Sequence, residues 1–186
     1  MRLFVAIELS EGLKEKIACM QKNFEEFSNR KEIKLVEPEN LHLTLKFLGE
    51  VPDNTVKEIA ERIKLVSGKF KQFTLSLEEL SFFNPPKFIR VIFLDVGKGR
   101  EVIIEMEKEL NNLLRDVREE DYDQHPHLTI ARAGFVKEKG RILEKIKSIE
   151  KSVIGEMGVS EIKLFKSTLT GKGPIYTEIE SFSLKG

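Results

Sequence analysis

Two ten-residue segments of this 186-residue chain are nearly the same peptide, and this internal repeat constrains the fold more than any other feature. The segment HLTLKFLGEV, from His42 to Val51, recurs as HLTIARAGFV, from His127 to Val136. Histidine, leucine, threonine, glycine and valine match at a constant spacing of 85 residues. A repeat of this kind indicates a duplicated unit, and two copies of a unit usually pack with pseudo-twofold symmetry.

Apolar periodicity predicts the same order of elements in both halves: strand, helix, histidine strand, helix, strand. Strands are predicted at 2–9, 41–48, 73–77, 88–96, 127–132, 159–169 and 175–184. Apolar stripes with helical spacing run over 13–27, 56–66, 103–117 and 142–149. The Asn84-Pro85-Pro86 break suggests a seam between the two units near 84–87, since proline cannot continue a central strand.

Helices between strands could indicate a parallel doubly wound sheet, but no glycine-rich phosphate turn follows the first strand. The sequence therefore favours an α+β fold. We expect two pseudo-symmetric lobes of antiparallel sheet, with helices packed outside and a cleft between the lobes. Residues 1–186 would form a single bilobal domain.

The composition limits the function classes that fit. Lysine plus arginine equals aspartate plus glutamate at 31 each, which disfavours a general polyanion-binding coat protein but allows a local basic cleft. Cys19 has no partner for an intrachain disulfide. No apolar run approaches the roughly 18–20 residues of a membrane-spanning helix. We expect a monomeric cytoplasmic protein that does not bind membranes.

The repeated segment carries a candidate site. On a strand, residues two apart point the same way, so His42 and Thr44 share one face, and His127 and Thr129 share the corresponding face. Two histidines can supply one acid and one base. Threonine hydroxyls can donate to non-bridging phosphate oxygens, so the set fits an in-line displacement at phosphorus. The set lacks a nucleophile–base–orienter triad and the carboxylate cluster of a two-metal phosphodiesterase.

These motifs resemble those of the two-histidine (2H) phosphoesterase superfamily, and most closely its RNA 2′,3′-cyclic phosphodiesterase branch, also called 2′-5′ RNA ligase. The resemblance covers essentially the whole chain, on segments that share sequence with the branch: RLFVAI at 2–7, NLHLTL at 40–45, Leu48-Gly49, Arg90-Val91-Ile92, HPHLTIAR at 125–132 and GPIY at 173–176.

The resemblance implies metal-independent hydrolysis of a terminal 2′,3′-cyclic phosphate to a 2′-phosphomonoester, with no cofactor. It implies His42 as proton donor and His127 as proton acceptor, roles that spacing cannot assign. RNA or oligonucleotide ends bearing the cyclic phosphate would be the partners. Ligation is expected at most as a side activity, because no nucleotide-binding or nucleotidyl-transfer motif supplies energy from ATP.

Arg132 matches an arginine of this branch that contacts phosphate, but an ideal strand places it on the face opposite to His127. Either the strand is bulged or ends there, or Arg132 is a surface residue. Lys46 lies on the same face of an ideal strand as His42 and could sit at the rim of the cleft, but a solvated side chain is the expected case. Three phenylalanines could stack on a base, but core packing is the expected role of each: Phe47, Phe82 and Phe83.

Two alternatives remain open from the sequence. His42, His125 and His127 could hold zinc in a metal-dependent hydrolase. The repeat argues against this arrangement, because Asn40 is the counterpart of His125. The second alternative is an RNA-end binding module without turnover.

Overall fold

The computed structural model describes residues 1–83, 89–119, 125–134, 136–137, 139–149, 153–171 and 173–186. The predicted seam at 84–87 lies outside the described residues, as do Phe88, at the start of a predicted strand, and Phe135 within the repeat. The described helices do not combine the length and the apolar character needed to cross a membrane.

Nine strands and five α-helices are formed by the described residues. The strands are β1 (Arg2–Glu8), β2 (Ile33–Leu35), β3 (His42–Glu50), β4 (Phe73–Phe83), β5 (Val91–Val96), β6 (His127–Ala133), β7 (Gly155–Val159), β8 (Glu161–Leu169) and β9 (Pro174–Ser183). The helices are α1 (Glu11–Gln21), α2 (Glu25–Asn29), α3 (Val56–Ser67), α4 (Arg100–Leu113) and α5 (Lys139–Ser148).

The strands form two antiparallel sheets. The first has the order β3-β1-β8-β9, and the second has the order β2-β6-β5-β4-β7. Every described ladder between neighbouring strands is antiparallel. The α+β architecture with antiparallel sheets, predicted from the sequence, is therefore confirmed.

The two sheets have corresponding strand orders once the short edge strand β2 is set aside. β3-β1-β8-β9 matches β6-β5-β4-β7 position by position. β4 follows β3 in the chain but pairs with β5, whereas β8 follows β7 and pairs with β1. Each half of the chain thus contributes strands to both sheets, which is what a duplicated unit with exchanged strands would produce. The duplication itself stays a prediction.

Helices pack against both sheets and against one another. α1 packs on β7, α3 packs on β8 and β9, and α4 packs on β3 and α3. The predicted long stripe over 13–27 is divided, because a 3-10 turn at Lys22–Phe24 separates α1 from α2. Its apolar residues are nevertheless buried, among them Ile17, Phe24 and Phe27. Burial of such side chains supplies the main driving force for packing these layers.

Candidate active site

The two histidine strands approach each other across a cleft of about 810 Å³. β3 is the edge strand of the first sheet, and it contacts β6 of the second sheet. The lining of this cleft contains all five side chains predicted as site residues: His42, Thr44, His127, Thr129 and Arg132. The fold therefore brings together groups that are up to 90 positions apart in the sequence.

Both histidine rings are held in the same way. Nδ1 of His42 lies 2.7 Å from the backbone oxygen of Asn40, and Nδ1 of His127 lies 2.8 Å from that of His125. A carbonyl oxygen can only accept, so Nδ1 carries a proton and donates it in each bond. In the neutral ring, Nε2 then has the lone pair. Each imidazole is thus prepared to accept a proton at Nε2, or to donate one from Nε2 when it is charged.

Aromatic rings enclose His42. The ring of Phe4 lies 4.9 Å from the imidazole, and the ring of Tyr176 meets it edge-on at 5.0 Å, measured between centroids. This burial lowers the pKa of His42, and the charge of Arg132 lowers it further, against the opposing effect of the hydrogen bond to Asn40. His42 is therefore neutral at physiological pH when the cleft holds no substrate.

Tyr176 keeps its hydroxyl proton. Burial raises the pKa of this phenol, and the charges of Arg132 and Arg2 oppose that shift only in part. Tyr176 comes from β9 and belongs to a small apolar cluster with Phe4 and Phe165 on the cleft side of the first sheet. The hydroxyl is a protonated hydrogen-bond donor at the wall of the cleft.

His127 has aromatic neighbours of its own. The rings of Phe83 and Phe93 lie 4.8 and 5.2 Å from its imidazole, and both meet it edge-on. Phe83 was expected in the core, but it is only partly buried and contacts a site histidine. The expectation of core packing holds for Phe82, which packs against the main apolar cluster.

A β-bulge in β6 turns Arg132 toward the cleft. Thr129 pairs with Phe93 and Ala131 pairs with Ile92, so Ile130 is an extra residue in the ladder. The bulge reverses the alternation of faces beyond it, and Ile130 and Ala131 are buried in succession. Of the two alternatives open from the sequence, the structure shows the bulged strand.

A bulge at the corresponding place in β3 makes two expectations wrong. Thr44 pairs with Ala6 and Lys46 pairs with Val5, so Leu45 is the extra residue. Lys46, expected to be solvated, is 2% exposed, and its amine donates to Oδ1 of Asn111 and to a carbonyl oxygen beyond α4.

Phe47 follows this bulge and faces the cleft. It was expected in the core, but it is 42% exposed and lines the cleft. Its ring lies 6.2 Å from that of Phe4. Phe47 stands in β3 where Arg132 stands in β6, so the two walls of the cleft differ in charge at this position.

The zinc alternative finds no ligand set in the part of the chain that the structure describes. No group of three or more histidine, cysteine, aspartate or glutamate side chains is arranged there to hold a metal ion. The imidazole of His125 lies 6.2 Å from that of His127, and its Nε2 is 3.0 Å from Oδ1 of Asp95. His125 is thus directed at a carboxylate.

Strand periodicity did not reveal several residues that shape the site. Asn40 and His125 act through backbone oxygens, which no side-chain pattern reports. Phe4 and Phe93 lie on the predicted strands 2–9 and 88–96, where apolar alternation gave no sign of a site. The segments of the family resemblance contain four of these residues without giving them a role: Phe4, Asn40, His125 and Tyr176.

The model of the family described as "LigT like Phosphoesterase" matches residues 7–93 and 95–176 of this chain. The chain belongs to the LigT-like phosphoesterase family. The membership predicted from the paired motifs is thereby confirmed, and the chain is placed among phosphoesterases.

Relatives of this LigT-like chain include two archaeal proteins named RNA 2′,3′-cyclic phosphodiesterase. The protein of Methanocaldococcus jannaschii is 38% identical over 98% of this chain and 100% of its own length. The protein of Methanothermobacter thermautotrophicus is 33% identical over 98% of each chain. Among solved structures, TT0787 of Thermus thermophilus superimposes with a TM-score of 0.83 at 28% identity, covering 100% of this chain and 99% of its own.

Proposed function

We propose that this LigT-like phosphoesterase hydrolyses the 2′,3′-cyclic phosphate at an RNA end to a 2′-phosphomonoester. The observation that carries the proposal is the pair of imidazoles, His42 and His127, which line one cleft and are each fixed by a bond from Nδ1 to a backbone oxygen. The name shared by the two archaeal relatives supports the same substrate class.

The proposed reaction is a single in-line displacement. Water attacks phosphorus and loses a proton to Nε2 of His127. The bond between phosphorus and O3′ breaks, and O3′ takes a proton from Nε2 of His42. One water molecule is consumed, and the products carry a 2′-phosphate and a 3′-hydroxyl. Each histidine in such a step contributes roughly 100- to 10,000-fold.

Hydroxyl and guanidinium groups would stabilise the transition state. Thr44 and Thr129 follow their histidines on the same face of each strand and line the same cleft. Their hydroxyls are proposed to donate to the two non-bridging oxygens, where negative charge is concentrated. Arg132 would add a charge-assisted hydrogen bond to the phosphate.

Substrate binding would help to protonate His42. The proposed donor must carry a proton, yet burial and the charge of Arg132 lower its pKa in the free protein. A bound cyclic phosphate carries a negative charge that offsets that of Arg132 and so raises the pKa of His42. We therefore expect protonation of His42 to accompany binding of an anionic substrate.

The decisive experiment is a product assay on a dinucleotide ending in a 2′,3′-cyclic phosphate. The proposal predicts turnover to the 2′-monophosphate alone, which chromatography against authentic 2′- and 3′-monophosphate standards would identify. Exclusive formation of the 3′-monophosphate would contradict the assignment of the leaving oxygen. Binding without turnover would identify an RNA-end binding module.

A second arm tests the metal dependence. The assay is repeated after exhaustive treatment with a chelator and again with added zinc. The proposed mechanism predicts the same rate in all three samples. Loss of turnover on chelation, restored by zinc, would establish the metal-dependent alternative.

In ligation of RNA ends through a 2′-5′ linkage, the 5′-hydroxyl of a second RNA would take the place of water, attack phosphorus and displace O3′. We expect it as a side activity at high concentrations of ends. Incubation of two paired half-molecules, with and without ATP, would measure it, and ATP should have no effect.

The monomeric state and the cytoplasmic location also belong to this proposal. Light scattering on the purified chain should give the mass of a single 21.4 kDa protomer. Fractionation of cells that produce the protein should recover it with the cytoplasmic enzymes.

A further inference from the structure

His125 is a histidine that the proposed reaction does not use, although it touches the site. Its backbone oxygen accepts the Nδ1 proton of His127 at 2.8 Å. Its side chain meets the rings of Phe83 and Phe93 edge-on, at 5.5 and 5.3 Å between centroids. The same two rings contact His127, so both histidines pack against one pair of aromatic side chains.

The imidazole of His125 is directed at Asp95. Nε2 lies 3.0 Å from Oδ1 of Asp95, a contact within ion-pair distance. The contact departs from ideal hydrogen-bond direction, and this buried Nε2 has no hydrogen-bond partner within the described ranges. Because a carboxylate oxygen only accepts, a proton on Nε2 of His125 would make this contact attractive.

Asp95 is itself fixed by Arg100 at the start of α4. Nη2 of Arg100 donates to Oδ1 of Asp95 at 3.0 Å, and Nε donates to the backbone oxygen of Val96 at 2.9 Å. Asp95 also lies directly opposite His127 in the ladder between β5 and β6. The carboxylate is therefore held in place and close to the strand that carries the proposed base.

The first motif has a corresponding arrangement with different chemistry. Asn40 stands where His125 stands, two residues before the motif histidine, and its backbone oxygen holds His42. Its side-chain amide donates to the backbone oxygen of Pro174 at 3.2 Å. In both motifs, the residue whose carbonyl fixes the imidazole also contacts another strand through its side chain.

We propose that His125 is a positioning residue for His127: its imidazole, seated against Asp95, Phe83 and Phe93, fixes the carbonyl that sets the tautomer and orientation of the proposed base. The inference rests on the proposed function for its kinetic consequence. In metal sites, removal of a group that orients a ligand imidazole lowers metal affinity or activity about 10- to 100-fold. We expect an effect of this size on kcat.

Two substitutions at His125 test whether the polar group that faces Asp95 affects kcat. His125→Ala removes the contact with Asp95. His125→Gln places an amide nitrogen close to the position of Nε2 and keeps a donor toward the carboxylate. We expect His125→Ala to lower kcat about 10- to 100-fold with little change in KM, and His125→Gln to restore most of the loss. Equal kcat in wild type and His125→Ala would overturn the proposal.

A spectroscopic measurement tests the positioning even if the proposed function fails. The ¹⁵N shifts of imidazole nitrogens report which nitrogen carries the proton. In the wild type, both His42 and His127 should show the tautomer with the proton on Nδ1. In His125→Ala, the signals of His127 should move toward a mixture of tautomers, while His42 serves as an internal control.

The outcomes are distinguishable. Absent turnover in the wild type together with the predicted change at His127 would reject the proposed function and support the positioning role. Unchanged His127 signals in His125→Ala, or equal changes at His42 and His127, would overturn the positioning role, because the substitution would then act through general stability alone.

Discussion

Leu45 and Ile130 are each the extra residue of a β-bulge, and they occupy the same place in the two motif strands. Each follows its motif threonine by one position, and the two residues are 85 positions apart, the spacing of the repeat itself. Because both strands reverse their faces at this point, the second residue beyond each bulge faces the cleft. These residues are Phe47 in β3 and Arg132 in β6.

Removal of the guanidinium by Arg132→Met should raise the pKa of His42. The charge of Arg132 opposes protonation of that imidazole, so its loss favours the charged form. An NMR titration of His42 measures the shift, with Arg90→Met as a charge-matched control on an exposed residue. The same variant should lose roughly 10- to 100-fold in kcat/KM, as expected for one charge-assisted hydrogen bond. An unchanged titration of His42 would contradict the electrostatic effect of Arg132 on this imidazole.

Beyond the two bulges, strand alternation in the sequence no longer predicts which face of the sheet a residue occupies. Period-two alternation correctly placed His42 and Thr44 on the same face of β3. It also placed His127 and Thr129 on the same face of β6. Both predictions hold because these residues precede the bulges. Beyond the bulge, the same alternation gave the wrong face for Lys46. No residue type in β3 or β6 signals an extra residue in the ladder, since a bulge is a property of two paired strands.

The two-sheet architecture was predictable because the apolar alternation of most strands is local. The exchange of β4 and β8 between the halves was not, because strand pairing depends on contacts between distant segments. Backbone oxygens such as those of Asn40 and His125 escape prediction for a related reason: their role depends on geometry and not on side-chain identity.

Lys46→Met should destabilise the protein. Lys46 is buried, and its amine satisfies Oδ1 of Asn111 and the backbone oxygen of Arg118. Methionine keeps much of the volume but leaves these acceptors without that donor, at a cost of about 1–3 kcal/mol in the free energy of unfolding. Urea unfolding measures the effect, with Lys57→Met on the exposed face of α3 as the control. Equal stability of the two variants would show that Lys46 is dispensable to the packing of α4 on β3.

Thr44→Val and Thr129→Val test the hydroxyl groups. Valine keeps the β-branched shape that suits a strand, so each substitution removes little besides one donor. We expect each to lower kcat on the order of 100-fold, the cost of losing one donor to transition-state charge. Steady-state kinetics on a cyclic dinucleotide provides the measurement. A rise in KM at constant kcat would assign the hydroxyls to substrate binding instead.

His42→Ala and His127→Ala should each lower kcat by roughly 100- to 10,000-fold while the chain stays folded. Circular dichroism and thermal melting check the fold, and Leu65→Ser, on an exposed part of α3, serves as a control that should keep full activity. The double variant should be little slower than the worse single variant, because the two groups act in one step. Near wild-type turnover in either single variant would remove that histidine from the mechanism.

The low pKa of His42 makes part of the stability depend on pH. In the unfolded chain this histidine titrates near its ordinary value of 6.5, whereas burial lowers its pKa in the folded protein. Between the two values the unfolded chain binds more protons, so the free energy of unfolding should fall as the pH drops through 6.5 toward the lower folded value. His42→Gln cannot take up this proton and should lose less stability over the same interval. Urea unfolding from pH 7.5 to pH 5 measures both curves, and parallel curves for the two proteins would mean that His42 is as readily protonated in the cleft as in water.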